Sequence, residues 1–332
     1  QVSQELFSSY QIDAGTRLLL KIAASNEINK VLDIGCGYGP LGLAFAAANP
    51  HRQVHLVDRD ALAVEFTRAN AELNGLKNVT AYGSLGYDDV PDKDFDLILS
   101  NIPGKAGRPA IESMLLDAQY ILAPQGIAAV VVVTPLAETV SEIIDRPDVE
   151  LLLREEGSEH VVFHYHFLPG DESGSVGRAS LRAKLASTTK QVESAFQRGV
   201  YDRGQMDVAY RGLKFSMQTV RGLPEFDKLS HQTELLLAAL EKVQSSGKNA
   251  QHTLVFNPGQ GHAPVALWKR LAPETMTLVD RDLLSLRASE RNLLATGRPP
   301  ENLSLLHHAS LDLAEDLPPP DLILGVLRDS EG

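Results

Sequence analysis

Apolar residues along this chain gather into short dense runs separated by stretches of helical period. The first series of runs predicts strands at about Lys30–Ile34, Gln53–Val57, Val79–Tyr82, Phe95–Ser100 and Ile127–Val133. Runs rich in branched residues and with little alternation suit strands buried on both faces. Helical stretches lie between them, and another follows near Leu136–Ile144. Strand, turn, helix and strand recurring in this order predict a parallel sheet wrapped by helices. VELLLREE and HVVFHYHF then predict a closing antiparallel pair, so the first domain is expected to end near Pro169.

The pattern then repeats. LVDRD occurs at Leu56–Asp60 and again at Leu278–Asp282. Aligned without gaps, VHLVDRDALAVEFTRANAELNG and MTLVDRDLLSLRASERNLLATG also pair Asn70 with Asn292 and Gly75 with Gly297. Upstream, VLDIGCGYGP faces LVFNPGQGHAP, so Gly35 and Gly37 are expected to answer to Gly259 and Gly261. DLIL recurs at Asp96–Leu99 and Asp321–Leu324, and TxLLL at Thr16–Leu20 and Thr233–Leu237. Four blocks in one order indicate a duplicated domain. The expected fold class is α/β, with two tandem Rossmann-like doubly wound sheets and a degenerate second copy. The domains would be 1–169, a basic linker and hairpin over 170–222, and a truncated copy over 223–332. The linker would begin at ESGSVG, and QMDVAYRGLKFSMQTV reads as the hairpin. Because the chain begins with Gln1 and stops at Gly332 after a strand-like run, one or both ends are expected to be missing.

Composition narrows the possibilities. A length of 332 residues suits about two domains of ~150 residues. No apolar run approaches the ~20 residues of a membrane-spanning helix. The single cysteine, Cys36, excludes an internal disulfide framework. With no signal-peptide pattern at the start, a soluble protein of the reducing cytoplasm is expected. A net charge of −12 argues against non-specific coating of nucleic acid. One stretch runs the other way: Arg178 to Arg221 holds nine Lys or Arg residues against Glu193, Asp202 and Asp207. It reads either as a solvated linker or as a surface that tracks phosphates.

The glycine turn is where chemistry enters. GYGPLG, Gly37–Gly42, satisfies the dinucleotide-binding pattern, but that pattern alone is weak. Charge separates the candidate ligands. Asp33 ends the first strand, where a pyrophosphate would sit against the helix amino terminus, and a fixed carboxylate repels a diphosphate. The same carboxylate attracts an amino-acid ammonium and a nearby sulfonium, as in S-adenosylmethionine. Asp58, ending the second strand, is placed to accept from two ribose hydroxyls, and Ser84 and Leu85 would flank the adenine. The glycines let backbone approach a ligand closely.

At VLDIGCGYG, LVDRD and FDLILSNIP, in that order and spacing, the sequence resembles the class I S-adenosylmethionine-dependent methyltransferases. The opening FSSYQIDAGTRLLL further resembles the tandem-domain bacterial ribosomal RNA guanine-N2 methyltransferases. In those families the degenerate copy comes first, whereas here the first copy is the more complete. The resemblance covers about Phe7–Phe167 strongly and Phe215–Gly332 weakly. It implies S-adenosylmethionine as cofactor and RNA, specifically ribosomal RNA, as substrate. It also implies cofactor contacts at Asp13, Thr16, Gly35, Gly37, Tyr38, Gly39, Arg59 and Asn101, beside Asp33, Asp58, Ser84 and Leu85. Catalytic roles fall to Asn101 and Pro103.

The family's Asn-Pro-Pro-aromatic motif reads Asn101-Ile102-Pro103-Gly104 here. An exocyclic amine is a poor nucleophile because its lone pair is delocalised. An Asn oxygen and the next backbone carbonyl can accept its two N–H bonds and turn the nitrogen toward the methyl donor. Asn101 retains that ability. The aromatic stacks on the extruded base, which Gly104 cannot do, so Phe7, Tyr10 or Tyr38 would have to supply a ring, with Lys105 on a phosphate, or else the acceptor is not a base. In the second copy Asn257 is expected in place of Asp33 and Ala263 in place of Gly39, with Val326 and Arg328 where Asn101 and Pro103 stand. Asp280 survives. That copy would be a structural or substrate-binding relic. The other readings are a methyltransferase for a protein side chain or small molecule, and a non-catalytic scaffold that binds S-adenosylmethionine or RNA. His160, His164 and His166 share a strand face, but packed histidines explain them better than a metal, and no metal is expected. Cys36, with no His partner, reads as packing.

Overall fold

The computed structural model describes residues 14–22, 28–169, 193–247, 250–297, 302–310 and 319–327. The chain divides into two compact units, Gln1–Asp58 with Ala63–Val200, and Arg59–Leu62 with Tyr201–Gly332.

The first unit runs α1 (Ala14–Ile22), β1 (Lys30–Ile34), α2 (Pro40–Ala48), β2 (Gln53–Asp58), α3 (Ala61–Leu73), β3 (Val79–Gly83) and β4 (Phe95–Asn101). It continues with α4 (Arg108–Leu116), β5 (Leu122–Val133), α5 (Ala137–Ile144), β6 (Val149–Glu156) and β7 (His160–Phe167). Its seven-stranded sheet has the order β3-β2-β1-β4-β5-β7-β6. β1 to β5 are parallel, and β7 joins antiparallel to both β5 and β6. Both faces of the central strands are covered, which is why they read as unbroken apolar runs. Leu32, Ile34 and Ile98 pack in one buried cluster with Ile111 of α4 and Val140 of α5. Val31, Leu97 and Leu99 pack in the opposite one with Leu19 of α1 and Leu41 and Phe45 of α2. The strand order reverses between β1 and β4, and ligands of open α/β sheets bind at the carboxyl ends of strands beside such a switch point.

The second unit opens with the hairpin β8 (Asp202–Tyr210) and β9 (Leu213–Val220). Its two-residue turn, Arg211-Gly212, holds both residues at positive φ, 45° and 79°, the backbone that matches the twist of a tight hairpin. Then come α6 (His231–Ser245), β10 (His252–Phe256), α7 (His262–Leu271), β11 (Thr275–Asp280), α8 (Leu283–Leu294), β12 (Leu303–His307) and β13 (Leu322–Gly325). Its parallel sheet, β12-β11-β10-β13, repeats the order β3-β2-β1-β4. The duplication is therefore one of topology as well as of letters.

Strand register corrects the expected alignment of the two glycine turns. Ile34 lies beside Val57 and Phe256 beside Val279, so the shift that carries Leu56 onto Leu278 carries Asp33 onto Val255. Asn257 then stands at Gly35, Gly259 at Gly37 and Gly261 at Gly39; Ala263 does not replace Gly39. Backbone angles agree, with φ of 70°, 58° and 90° at Gly35, Gly37 and Gly39 against 49°, 59° and 104° at Asn257, Gly259 and Gly261. A Gly-x-Gly-x-Gly pattern has period two, so sliding it by two still superposes two glycines. Only the strand breaks that tie. Asn tolerates the left-handed region better than other side chains, which lets Asn257 stand there.

Candidate active site at the end of strands one and four

Asp33 and Asn101 lie at the carboxyl ends of neighbouring strands, β1 and β4. Asp33 is fully buried. Its Oδ2 accepts the Gly42 amide at 2.8 Å, while its Oδ1 has no hydrogen-bond partner. Gly42 makes the approach possible, since a Cβ there would fall 2.5 Å from Leu56 and 3.1 Å from Asp33 Oδ2. Burial, reinforced by the charge of Asp58 and opposed by the Gly42 hydrogen bond, pushes the Asp33 carboxyl up to about 7. An unpaired buried carboxylate is costly, and a cation hydrogen-bonded to it removes the cost.

The turn itself is braced from below. Asp58 Oδ2 accepts the Gly37 amide at 2.9 Å. Thr67 Oγ1 donates to the Gly37 carbonyl at 2.9 Å, and Asn70 Nδ2 donates to the Tyr38 carbonyl at 3.0 Å. Ser100 Oγ donates to the Ile34 carbonyl at 3.0 Å, tying β4 to β1. Of the four bracing residues, Thr67, Asn70 and Ser100 carry no role in the sequence reading; for Asn70 the match to Asn292 was the signal available. Above the turn the space is open, because a Cβ at Gly35 or Gly37 would meet no heavy atom within 4 Å. An orphaned carboxylate oxygen beside open backbone fits the ammonium end of an amino-acid cofactor. Cys36 is buried beneath, its Sγ 3.6 Å from Thr67 Oγ1. Burial, with Asp58 and Asp33 adding to it, pushes its thiol up.

At the end of β4, Asn101 Nδ2 donates to Thr16 Oγ1 of α1 at 3.2 Å, across 85 positions of sequence. Ile102 is buried, Pro103 is exposed, and the Pro103 carbonyl accepts the Ala106 amide at 3.1 Å. Gly104 is exposed, and a Cβ built on it would meet only Val133, at 3.6 Å. Ser84 is buried and its hydroxyl donates to the Gly86 carbonyl at 2.7 Å. Leu85 is buried too, its amide held by Asp89 Oδ2 at 3.0 Å. Tyr38 is half-buried. Asp13, Phe7 and Tyr10 lie outside the described residues. Arg59 is counted with the second unit, where its guanidinium donates to Asp282 at 3.0 Å.

The second copy keeps the brace but lacks the buried carboxylate that Asp33 supplies in the first. Ser289 Oγ donates to the Gly259 carbonyl at 3.1 Å and Asn292 Nδ2 to the Gln260 carbonyl at 2.8 Å, as Thr67 and Asn70 do in the first. The place of Asp33 belongs to Val255, fully buried. Gln260, in the place of Tyr38, is fully buried and pairs with the Val220 amide and carbonyl of β9, both at 3.0 Å. Phe256 packs where any side chain on Gly325 would collide, at 2.5 Å. Asp280 is turned onto Ser285 Oγ at 2.5 Å and the Asp282 amide at 2.9 Å. Val326 stands where Asn101 would be, and its carbonyl accepts from Asn257 Nδ2 at 2.9 Å; Arg328 lies outside the described residues.

Elsewhere in the first unit a groove of about 690 Å³ is lined by residues such as His51, His55, Lys77, Tyr82 and Asp92, and holds none of the glycine-turn residues. His166 pairs with Glu150 at 2.8 Å, while His164 Nε2 is buried without a partner. Among the described residues no group of three His, Cys, Asp or Glu is arranged to hold a metal ion, and no helix is long and apolar enough to cross a membrane.

Known proteins match the first unit most directly. Residues 2–145 fit the family described as the methyltransferase small domain. The uncharacterized protein YbxB of Bacillus subtilis (strain 168) is 38% identical over 111 residues, covering 33% of this chain and 55% of that protein. Ribosomal RNA large subunit methyltransferase G of Shewanella oneidensis is 32% identical over 135 residues, covering 38% of this chain and 35% of that one. Ribosomal RNA small subunit methyltransferase C of Escherichia coli (strain SMS-3-5 / SECEC) is 39% identical over 98 residues, 30% of this chain and 28% of that one. The chain thus spans about half or less of the length of these relatives. Among solved structures, the T. Thermophilus 16S rRNA N2 G1207 methyltransferase, in complex with AdoMet and guanosine, superposes with a TM-score of 0.64. That likeness, at 16% identity over 95% of this chain and 74% of that one, shows a shared fold. Over residues 2–145, less than half of its length, the chain is similar to the methyltransferase small domain family.

Proposed function

We propose that the first unit is an S-adenosylmethionine-dependent methyltransferase of the cytoplasm whose acceptor is an exocyclic amine of RNA, guanine N2 of ribosomal RNA. One observation carries the reading: a buried carboxylate with an orphaned oxygen, Asp33, and a carboxamide, Asn101, end adjacent strands at the switch point. Asp33 would hold the cofactor's ammonium and Asp58 its ribose hydroxyls, with Gly35 and Gly37 letting the backbone come close. S-adenosylmethionine, when bound, supplies an electrophilic methyl group. Asn101 and the Ile102 carbonyl would accept the two N–H bonds of the amine, so that its lone pair points at that methyl. The ribosomal RNA methyltransferases among the relatives support the acceptor class.

Four of the five described basic residues of the stretch are engaged within the chain. Of its described members, Arg198 pairs with Asp117, Arg203 stacks on Phe226, Arg211 pairs with Glu241 and Arg221 donates to the Asp202 carbonyl. Arg178 to Lys190 lie outside the described residues.

The test uses the full chain with methyl-tritiated S-adenosylmethionine and deproteinised ribosomal RNA. Label recovered in N2-methylguanosine after nuclease digestion is the expected result. Unlabelled RNA, with S-adenosylhomocysteine still bound by the protein, would overturn the acceptor. A second reading, an acceptor that needs no stacking ring, is favoured by the bare Gly104. Gly104→Tyr separates the two. Its backbone is not in the left-handed region and its Cβ site is open, so a tyrosine can be carried there. A stacked base is worth about 1–3 kcal/mol, so KM for RNA should fall by about 5- to 100-fold. A variant with KM unchanged or raised points to an acceptor other than a base.

A further inference from the structure

We propose that Thr16 is a positioning residue that decides which end of the Asn101 carboxamide faces the methyl acceptor, an assignment that rests on the methyl-transfer reading above. A carboxamide is nearly symmetric in shape and opposite in chemistry at its two ends. Its oxygen accepts from an amine, whereas its nitrogen would present two N–H groups to another donor. An Asn at this place helps only if the oxygen points to the acceptor. Asn101 Nδ2 donates to Thr16 Oγ1 at 3.2 Å, which turns the nitrogen toward α1 and the oxygen away from it. Thr16 is 4% exposed, and Leu19, three residues on along the same helix, is fully buried, so this face of α1 is packed and the hydroxyl is fixed in place. A threonine hydroxyl carries two lone pairs, so it can accept this N–H whichever way its own proton turns. Thr16 acts through Asn101 in this assignment, rather than as the direct cofactor contact expected from the resemblance.

Thr16→Val keeps the shape and removes the hydroxyl, and Thr16→Ser restores it. In the full chain with tritiated S-adenosylmethionine and deproteinised ribosomal RNA, Thr16→Val should lower kcat about five- to tenfold, the loss of one hydrogen bond. S-adenosylhomocysteine affinity should stay within about twofold, and Thr16→Ser should recover the rate. In an Asn101→Ala background Thr16→Val should change nothing further, because residues that act as a unit are not additive. Weakened S-adenosylhomocysteine binding with kcat unchanged, or multiplicative losses in the double variant, would overturn the assignment. A turnover-independent measurement accompanies these. The ¹⁵N carboxamide signal of Asn101, identified by its absence in Asn101→Ala, should move in Thr16→Val and return in Thr16→Ser; an unmoved signal rejects the contact. If the wild-type chain labels no RNA, the proposed acceptor falls, and the carboxamide signal alone then decides for or against Thr16.

Discussion

Asn101→Ala is expected to lower kcat for methyl transfer by about 10²–10³-fold, the usual loss when a pre-placed polar group at the reacting centre is removed. Affinity for S-adenosylhomocysteine should stay within about twofold, because no group that would hold the cofactor's charged end is touched. Asn101 closes β4, and β4 is fixed to β1 by Ser100 Oγ on the Ile34 carbonyl at 3.0 Å, so truncating one side chain leaves the strand end in place. Stopped assays for rate and calorimetry for binding check the two halves separately. Retained turnover removes Asn101 from the mechanism.

Asp33→Asn is expected to weaken S-adenosylhomocysteine by about 10- to 100-fold, the worth of a hydrogen bond to a charged group. The pH profile sharpens this. The folded carboxyl sits at about 7, above its unfolded value, so between about 4 and 7 the folded state holds a proton that the unfolded state has lost. The stability of the ligand-free protein therefore falls as pH rises through that window. Ligand binding runs the other way, since an ammonium pairs with the ionised form. Affinity should rise about tenfold per pH unit below 7 and level off above it. Asp33→Asn should flatten that profile and, at pH 8, leave the ligand-free melting temperature unchanged or higher. Calorimetry should also count one site per chain, because Val255 gives the second copy nothing to pair with an ammonium.

Much of this was legible in the sequence, for definite reasons. Strands buried on both faces announce themselves as apolar runs, so β1 to β4 were readable nearly to the residue, and Asp33, Asp58 and Asn101 follow because they end those strands. β5 begins at Leu122 rather than Ile127 because Pro124 and Gly126 look like a turn, yet Gly126 lies so close to the Phe95 carbonyl that a Cβ would reach 2.5 Å from it. The glycine turn misled through its own periodicity. Gln260 was opaque, since a glutamine reads as surface until the backbone of β9 is seen to enclose it. The Thr16–Asn101 hydrogen bond had no signature at all: two polar residues far apart in sequence meet because of where α1 packs.

The buried thiol has a kinetic meaning. Cys36 is the only cysteine in the chain, 4% exposed and set inside the turn that the cofactor would straddle. An alkylating reagent can reach it only during local openings of that turn. The rate of thiol modification then counts openings rather than encounters with the surface, and whatever straddles the turn slows the count. One atom of sulfur makes the chain its own clock for the breathing of its active site.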